Sequence, residues 1–275
     1  MNKNLYIITQ ATSIYNDYLP YLFKSLSNIG LSNIWDLHLI VMSDKEPDFK
    51  FVPNKIDKKI YYHIVDFPYC FNLYLRPNII YDFFKENNFD VNNDYFLFVD
   101  VDTIFRNGNY YKKIEHDLLT NKMIFSISPW FNHDYTTEND VCKNKYNEIC
   151  IVKIEPKDYL QLSFFAGQIN AFNKFFEDYK NLQIKLISNW EEKKIPPMND
   201  QSIITYLVWK NKYKNIYIKD NYIINIYQDL ELKNIKKKFI NVSTCNNTFN
   251  INDYPNIFLI QKFNTYIKES IRISR

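Results

Sequence analysis

The chain alternates between short apolar runs and longer segments in which apolar residues recur with the period of a helix. The apolar runs are typical of buried strands, and they cover residues 3–10, 35–44, 58–67, 95–100, 122–130, 159–172 and, in two short pieces, 215–226. The segments with helical periodicity are 19–30, 76–87, 174–194 and 200–212. Strands that alternate with helices predict an α/β fold with a mostly parallel central sheet flanked by helices.

Nothing in this pattern divides the chain into separate parts. The sequence has no internal repeat and no long low-complexity linker, and its 275 residues are enough to build one large core. We therefore predict a single domain over residues 1–275, in which the polar stretch 131–157 forms a loop.

Composition and charge narrow the class of protein. The sequence is 46% hydrophobic and 24% charged, as expected for a globular protein, and its formal net charge of +3 argues against a nucleic-acid partner. The four cysteines show no C-x-x-C spacing, which argues against a zinc–thiolate site. Because the N-terminus has no signal-peptide pattern and no run is long enough to span a bilayer, we expect a soluble, cytoplasmic protein.

The candidate chemistry begins where the buried run YFLFV ends, at Asp100 and Asp102. On an extended segment two residues spaced one apart point to the same side, so their charges repel unless a cation lies between them. Mn²⁺ or Mg²⁺ bridging both carboxylates to a nucleotide diphosphate satisfies this requirement. The alternative is a turn at the end of a strand, whose aspartates cap backbone groups. There is no P-loop pattern, and three glycines in the whole chain exclude a G-x-G-x-x-G dinucleotide motif.

Several segments, in order, resemble family 6 of the retaining glycosyltransferases, the group of the histo-blood-group A and B transferases and α1,3-galactosyltransferase. They are LYIITQATSIYNDYLPYLFKSL, NLYLRPNIIYDFFKEN, FLFVDVDTIFRN, FFAGQINAF and MNDQSIITYL. The resemblance covers most of the chain and is weak over 131–157. The vertebrate members have an N-terminal membrane anchor that is not seen in this sequence, and in this respect it resembles the bacterial and viral members. It implies a Rossmann-like glycosyltransferase-A fold. It also implies metal-dependent transfer, with retention, of Gal, GalNAc or GlcNAc from a UDP-sugar to a glycan, forming an α-linkage.

The resemblance also implies a set of donor-binding residues. Thr9, Gln10 and Ala11, with Tyr18 (or Tyr15), would bind the uracil. Arg76 would lie near the sugar and near Asp100, and Asp100, Val101 and Asp102 would lie at the metal and diphosphate. Gly167 would lie where the backbone approaches the sugar or acceptor, and a basic tail with Lys262, Lys268 and Arg272 would close on the diphosphate. Trp130 and His133 fall where the family binds the acceptor. Each assignment has a plainer alternative: surface tyrosines, a solvated arginine at the start of a helix, a tight bend at the glycine, and a solvated tail.

One position departs from the family. Asp200 matches the aspartate that binds the hydroxyls of the donor sugar, but the family's Glu at the next position is replaced by Gln201. An amide is a poor nucleophile and carries no charge to offset a developing cation. The Asp-Gln pair resembles family 8, which includes glycogenin and for which front-side attack with the leaving phosphate as base is favoured.

Three alternatives to the family 6 reading stay open. The first is a family 8-like transferase; that family uses a C-terminal His as a metal ligand, whereas the last His here is His133, and this favours family 6. The second is a weakly active or non-catalytic nucleotide-sugar or carbohydrate-binding module. The third is a phosphoryl- or nucleotidyl-transfer enzyme with two metals, which needs another carboxylate near the pair.

Overall fold

The computed structural model describes part of the chain, and every structural statement below concerns that part. The described residues are 2–11, 13–62, 76–105, 111–120, 123–127, 160–193, 200–211, 213, 216–219, 223–225 and 259–261.

A seven-stranded sheet forms the centre of the protein, in the order β3-β2-β1-β4-β7-β6-β8. Its strands are β1 (Lys3–Ala11), β2 (Trp35–Ser43), β3 (Asp57–Tyr62), β4 (Tyr95–Val99), β6 (Met123–Ile127), β7 (Leu160–Gln168) and β8 (Ile216–Lys219). β7 pairs antiparallel with both β4 and β6, whereas the other pairs in this sheet are parallel. The carboxyl ends of six strands therefore lie at one edge of the sheet, together with the amino end of β7.

A second sheet of three short strands branches off directly after β4. Its strands are β5 (Thr103–Phe105), β9 (Ile223–Asn225) and β10 (Leu259–Gln261). β10 lies in the middle, antiparallel to β5 and parallel to β9. Because β5 begins three residues after Asp100, this sheet joins a C-terminal strand to the Asp100–Asp102 segment.

In the described part of the chain, five α-helices pack against the large sheet. They are α1 (Leu19–Ser25), α2 (Arg76–Glu86), α3 (Tyr111–Thr120), α4 (Ile169–Lys193) and α5 (Asp200–Asn211); short 3-10 turns cover Ser13–Tyr18, Leu26–Asn28 and Phe49–Phe51. α1 and α3 lie on one face, where their apolar residues join those of β1 and β4 in one cluster. α2, α4 and α5 cover the other face and form a second cluster.

The central strand β4 is continuously apolar because both faces of the sheet are covered there. Along β4, Leu97 and Val99 belong to the first cluster, while Phe96 and Phe98 belong to the second. Phe96 is fully buried, and its ring lies 4.8 Å from that of Phe172 on α4, edge to face. The aromatic richness of the sequence is thus largely a packing feature on this face.

The predicted α/β fold with a mostly parallel sheet flanked by helices is confirmed. The predicted strands 3–10, 35–44 and 95–100 and the helices 76–87 and 200–212 match observed elements to within one or two residues. The third predicted strand, 58–67, is observed as far as Tyr62, and 63–67 lie outside the described residues.

Other predictions need correction. The strand expected over 159–172 ends at Gln168, and its last residues already form the first turn of α4. The Ile169 N–H donates to the Asp94 carbonyl at 3.1 Å, which fixes where the helix starts. Sequence reasoning missed α3, β5 and β10. Among the described residues, no helix is long and apolar enough to cross a membrane.

Candidate functional site

The candidate site lies where the strand order of the large sheet reverses. From β1 the chain moves outward to β2 and then β3, whereas β4 pairs on the opposite side of β1. In open α/β sheets the crevice for ligands lies at the carboxyl ends of the strands at such a reversal. Here the two adjacent carboxyl ends bring Thr9, Gln10 and Ala11 next to Asp100.

Asp100 to Thr103 form a turn rather than a continued strand. The Asp100 N–H still donates to the Ser163 carbonyl on β7, at 3.2 Å, and the Thr103 N–H then donates back to the Asp100 carbonyl at 3.1 Å. A bond from residue i+3 to residue i closes a β-turn, and aspartate is favoured at its first position. The argument that Asp100 and Asp102 face one side because the segment is extended is therefore wrong.

Arg76 is in direct contact with Asp100. Its Nη1 lies 2.7 Å from Asp100 Oδ1, and the two side chains are 10% and 21% exposed. The guanidinium carbon also lies 5.2 Å from the centre of the Phe98 ring, a cation–π distance. α2 begins at Arg76, and the next residue is Pro77, which is well suited to the first helical turn. A contact between Arg76 and a donor sugar stays a prediction.

Buried polar atoms at this edge have unused hydrogen-bonding capacity. Thr9 and Thr103 are fully buried, and the hydroxyl oxygen of each has no hydrogen-bond partner among the described residues. The same holds for the side-chain oxygen of Asn78, in the first turn of α2. An unpaired buried polar group costs about 1–3 kcal/mol, and water, an ion or a ligand is the usual reason that a protein retains one.

The remaining residues predicted at the uracil lie at the end of β1. Ala11 is fully buried, and Gln10 is half-buried. Tyr18 is half-buried and packs against the apolar cluster on the α1 face, so part of its ring belongs to the core. The side chain of Tyr15 lies outside the described residues.

Gly167 is not brought together with the aspartates. It pairs with Phe96 and with Met123, inside the sheet. β7 runs antiparallel to β4, so Gly167 lies near the amino end of β4, several residue pairs away from Asp100. Gly167 has a φ of 156°, and its lack of a Cβ suits this buried position between two strands.

Ser163 is the residue of β7 that lies beside Asp100. Its carbonyl binds the Asp100 N–H, and its side chain is buried. Sequence reasoning missed it because the direction of β7 decides which of its residues reach the carboxyl edge.

The middle of α5 contacts the same edge of the sheet. The Leu160 N–H, at the amino end of β7, donates to Thr205 Oγ1 at 3.0 Å. Asp200 begins α5 five residues before Thr205, which is about 7 Å along the helix axis. The side chains of Asp200 and Gln201 lie outside the described part of the structure.

Five predicted site residues lie outside the described residues: Trp130, His133, Lys262, Lys268 and Arg272. The residue before Lys262 is described, however. Gln261 pairs with Thr103 in the small sheet, so the described part of the C-terminal segment reaches the residue that follows Asp102.

The described residues fit a divalent ion that is shared with a substrate. Asp100 and Asp102 offer carboxylate oxygens, which are the ligands that Mn²⁺ and Mg²⁺ prefer. Within the described ranges, no group of three or more His, Cys, Asp and Glu side chains could hold a metal ion. An ion held by these two aspartates would take further oxygens from water or from a ligand, as expected when a nucleotide diphosphate binds with its metal.

A pocket of about 330 Å³ lies at the opposite, amino edge of the sheet, between the first three strands and the end of α2. Several of its polar groups bind one another. Lys59 Nζ lies 2.6 Å from the side-chain oxygen of Asn87, and the His38 ring lies 3.4 Å from Asp57 Oδ2 and 3.1 Å from Asn4 Oδ1. The Tyr6 ring stacks on that of His38 at 4.9 Å. These contacts hold the sheet edge and the helix end together.

No protein-family model matches the sequence, and a search of curated proteins found no match.

Proposed function

We propose that the protein is a metal-dependent retaining glycosyltransferase that moves a hexose from a UDP-sugar to a glycan acceptor and forms an α-linkage. The observation that carries this proposal is the position of Asp100 and Asp102. They lie on a turn at the carboxyl end of β4, beside the strand whose end forms the other side of the expected ligand crevice. The resemblance of five ordered sequence segments to family 6 supports the same function.

Each described residue has a role that follows from its chemistry. The carboxylates of Asp100 and Asp102 would hold Mn²⁺ or Mg²⁺, which supplies Lewis-acid stabilisation of the leaving diphosphate when bound. Arg76 adds a positive charge next to Asp100. The hydroxyls of Thr9 and Thr103 are hydrogen-bonding groups for which the described structure shows no partner, and a ligand at this edge would use them.

Gln201 shapes the expected mechanism. Because a neutral amide does not form a stable covalent glycosyl intermediate, retention would follow front-side attack, in which the acceptor hydroxyl gives its proton to the leaving diphosphate. A family 8-like transferase gives the same expectation.

A donor screen tests the proposal. Purified protein is incubated with UDP-Gal, UDP-GalNAc, UDP-GlcNAc and UDP-Glc in the presence of Mn²⁺, with and without EDTA, and UDP release is measured. The proposal expects release from at least one donor, and loss of that release with EDTA. No release and no Mn²⁺-dependent UDP binding would contradict it.

Gln201 also favours a second candidate, a nucleotide-sugar-binding module with little or no turnover. The same screen separates the two candidates when it is combined with Gln201→Glu. Metal-dependent UDP binding without release from any donor in either form supports the binding module. Release by the unmodified protein supports the enzyme.

A further inference from the structure

Arg76 occupies a fixed place in the candidate site. It is the first residue of α2, its side chain is 10% exposed, and its guanidinium lies between the Phe98 ring, at 5.2 Å, and Asp100 Oδ1, at 2.7 Å. Packing against an aromatic ring and pairing with a carboxylate each restrict the side chain. A permanent positive charge, which arginine keeps at any ordinary pH, therefore lies next to the proposed metal ligands before any ligand binds.

The positive charge of Arg76 makes the net charge of the site less negative. Asp100 and Asp102 carry a formal charge of about −2 together, and Arg76 reduces the sum for the three groups to about −1. A free divalent cation meets repulsion from the guanidinium, and this repulsion is strong where water is partly excluded. A complex of the ion with a nucleoside diphosphate carries anionic phosphate oxygens, which the guanidinium attracts.

We propose that Arg76 makes the site selective for the complex of the divalent ion with the nucleoside diphosphate, against the free ion. Metal and nucleotide then bind cooperatively, and the guanidinium beside Asp100 is the source of the coupling. Because coupling between two ligands is reciprocal, the nucleotide raises the affinity for the ion by the same factor by which the ion raises the affinity for the nucleotide. This inference rests on the proposed function and specifies how its metal site works.

A purely orienting role for Arg76 predicts a different result. Groups that hydrogen-bond to a metal ligand and fix its orientation raise the affinity of the site for metal, and their loss lowers it about 10–100-fold. If Arg76 only orients Asp100, its removal weakens binding of the free ion and of the metal–nucleotide complex alike. If Arg76 instead selects by charge, its removal strengthens binding of the free ion and weakens binding of the metal–nucleotide complex.

Three forms of the full chain are compared: the unmodified protein, Arg76→Gln and Arg76→Lys. Free Mn²⁺ binding is followed by the electron paramagnetic resonance signal of the unbound ion, and UDP binding at saturating Mn²⁺ by calorimetry. For Arg76→Gln we expect free Mn²⁺ to bind about 10-fold tighter and UDP to bind about 10-fold weaker. Arg76→Lys keeps the charge, so we expect its affinity for free Mn²⁺ to stay close to that of the unmodified protein.

The unmodified protein provides a test that does not depend on how the variants fold. We expect UDP to raise its affinity for Mn²⁺ at least about 30-fold. Equal Mn²⁺ affinity with and without UDP overturns the inference. It is also overturned if Arg76→Gln weakens the binding of both free Mn²⁺ and UDP, or if it weakens neither. If the unmodified protein binds no UDP at any Mn²⁺ concentration, the proposed function itself fails, and this outcome is distinct from the others.

Discussion

Two sets of buried polar side chains, one at each edge of the large sheet, differ in their hydrogen bonding. At the amino edge, buried Asp94 accepts hydrogen bonds from Asn4 Nδ2 at 2.8 Å and from the Asp90 N–H at 2.9 Å. At the carboxyl edge, Thr9 and Thr103 are buried just as deeply, yet their hydroxyls have no partner among the described residues. Both edges belong to the same sheet and border the same two apolar clusters.

Under the proposed function, this contrast separates residues that stabilise the fold from residues that serve a ligand. A sequence that stabilises one structure satisfies its buried polar groups, and departures from that rule are expected at functional sites. In the pocket at the amino edge, several polar groups are bonded to one another. At the carboxyl edge, the hydroxyls of Thr9 and Thr103 have no partner among the described residues. Substitutions at the two edges should therefore affect different properties.

The largest effect is expected for Asp102→Asn. Loss of one carboxylate removes a ligand of the proposed ion, and UDP release from the preferred donor should fall by about 100- to 1000-fold, the range seen when a main electrostatic stabiliser is lost. The melting temperature in the absence of ligand should change by no more than a few degrees. Activity is measured as UDP release at saturating Mn²⁺.

Asp57→Asn is the matched control for that substitution. The Asp57 side chain is 83% exposed and lies at the amino edge beside His38, so the same change of chemistry should leave UDP release unchanged. Equal losses of activity in both variants would contradict a division between the edges.

Asp94→Ala should lower stability more than any carboxyl-edge substitution named here. The carboxylate is 3% exposed and serves Asn4, Asp90 and the hydroxyl of Tyr6. Its removal leaves buried donors unpaired, and we expect a loss of about 3 kcal/mol in the free energy of unfolding. Urea denaturation measures it. UDP release per folded molecule should stay the same, and a large loss of release at full folding would contradict the comparison.

Two buried threonines offer a smaller and closely matched test. Thr205 Oγ1 accepts from the Leu160 N–H at 3.0 Å, whereas the Thr103 hydroxyl has no described partner. Thr205→Val should cost about 1–2 kcal/mol of stability because it leaves a buried N–H unpaired. Thr103→Val should cost nothing, or add up to about 1 kcal/mol, and should weaken Mn²⁺-dependent UDP binding. Equal destabilisation by the two substitutions would mean that the Thr103 hydroxyl is satisfied.

The smallest effect concerns pH at the amino edge. Burial, the charge of Asp94 and a hydrogen bond to Asp94 raise the pKa of Tyr6 from 10.0 to about 12. Because the folded state favours the neutral phenol, this stabilisation is complete below pH 10 and is lost as the pH rises from about 10 to about 12.

Tyr6→Phe tests that pH dependence. At pH 8 the variant should be about 1 kcal/mol less stable, through loss of the hydrogen bond to Asp94, and the difference should narrow above pH 10. Tyrosinate absorbance and urea denaturation at several pH values measure both parts. A difference that stays constant from pH 8 to pH 12 would contradict the role of Asp94.

The fold was largely predictable because periodicity reports how strongly each segment is buried. The run YFLFV predicts β4, and the spacing of apolar residues in Arg76–Glu86 predicts α2. α3 was missed although Tyr111, Ile114 and Leu118 recur on one helical face and are all buried, so a signal was present. β5 and β10, at three residues each, are too short for periodicity to indicate.

The site was predictable in its location and less so in its geometry. The aspartates after an apolar strand indicated the carboxyl edge, and Arg76 was expected near Asp100. The turn from Asp100 to Thr103 and the place of Ser163 depend on the direction of β7 and on pairing between distant segments. An apolar strand with both faces buried has the same pattern in either direction, so its sequence alone does not determine which end meets Asp100.

The central claim is that Asp100 and Asp102 bind one divalent ion together with a nucleotide diphosphate. The most direct test is a crystal grown with MnCl₂ and UDP, from which anomalous scattering locates the manganese. We predict one strong peak about 2.2 Å from carboxylate oxygens of both aspartates and from oxygens of the diphosphate. A bound UDP with no manganese peak at these side chains, or a peak that contacts neither of them, would contradict the account.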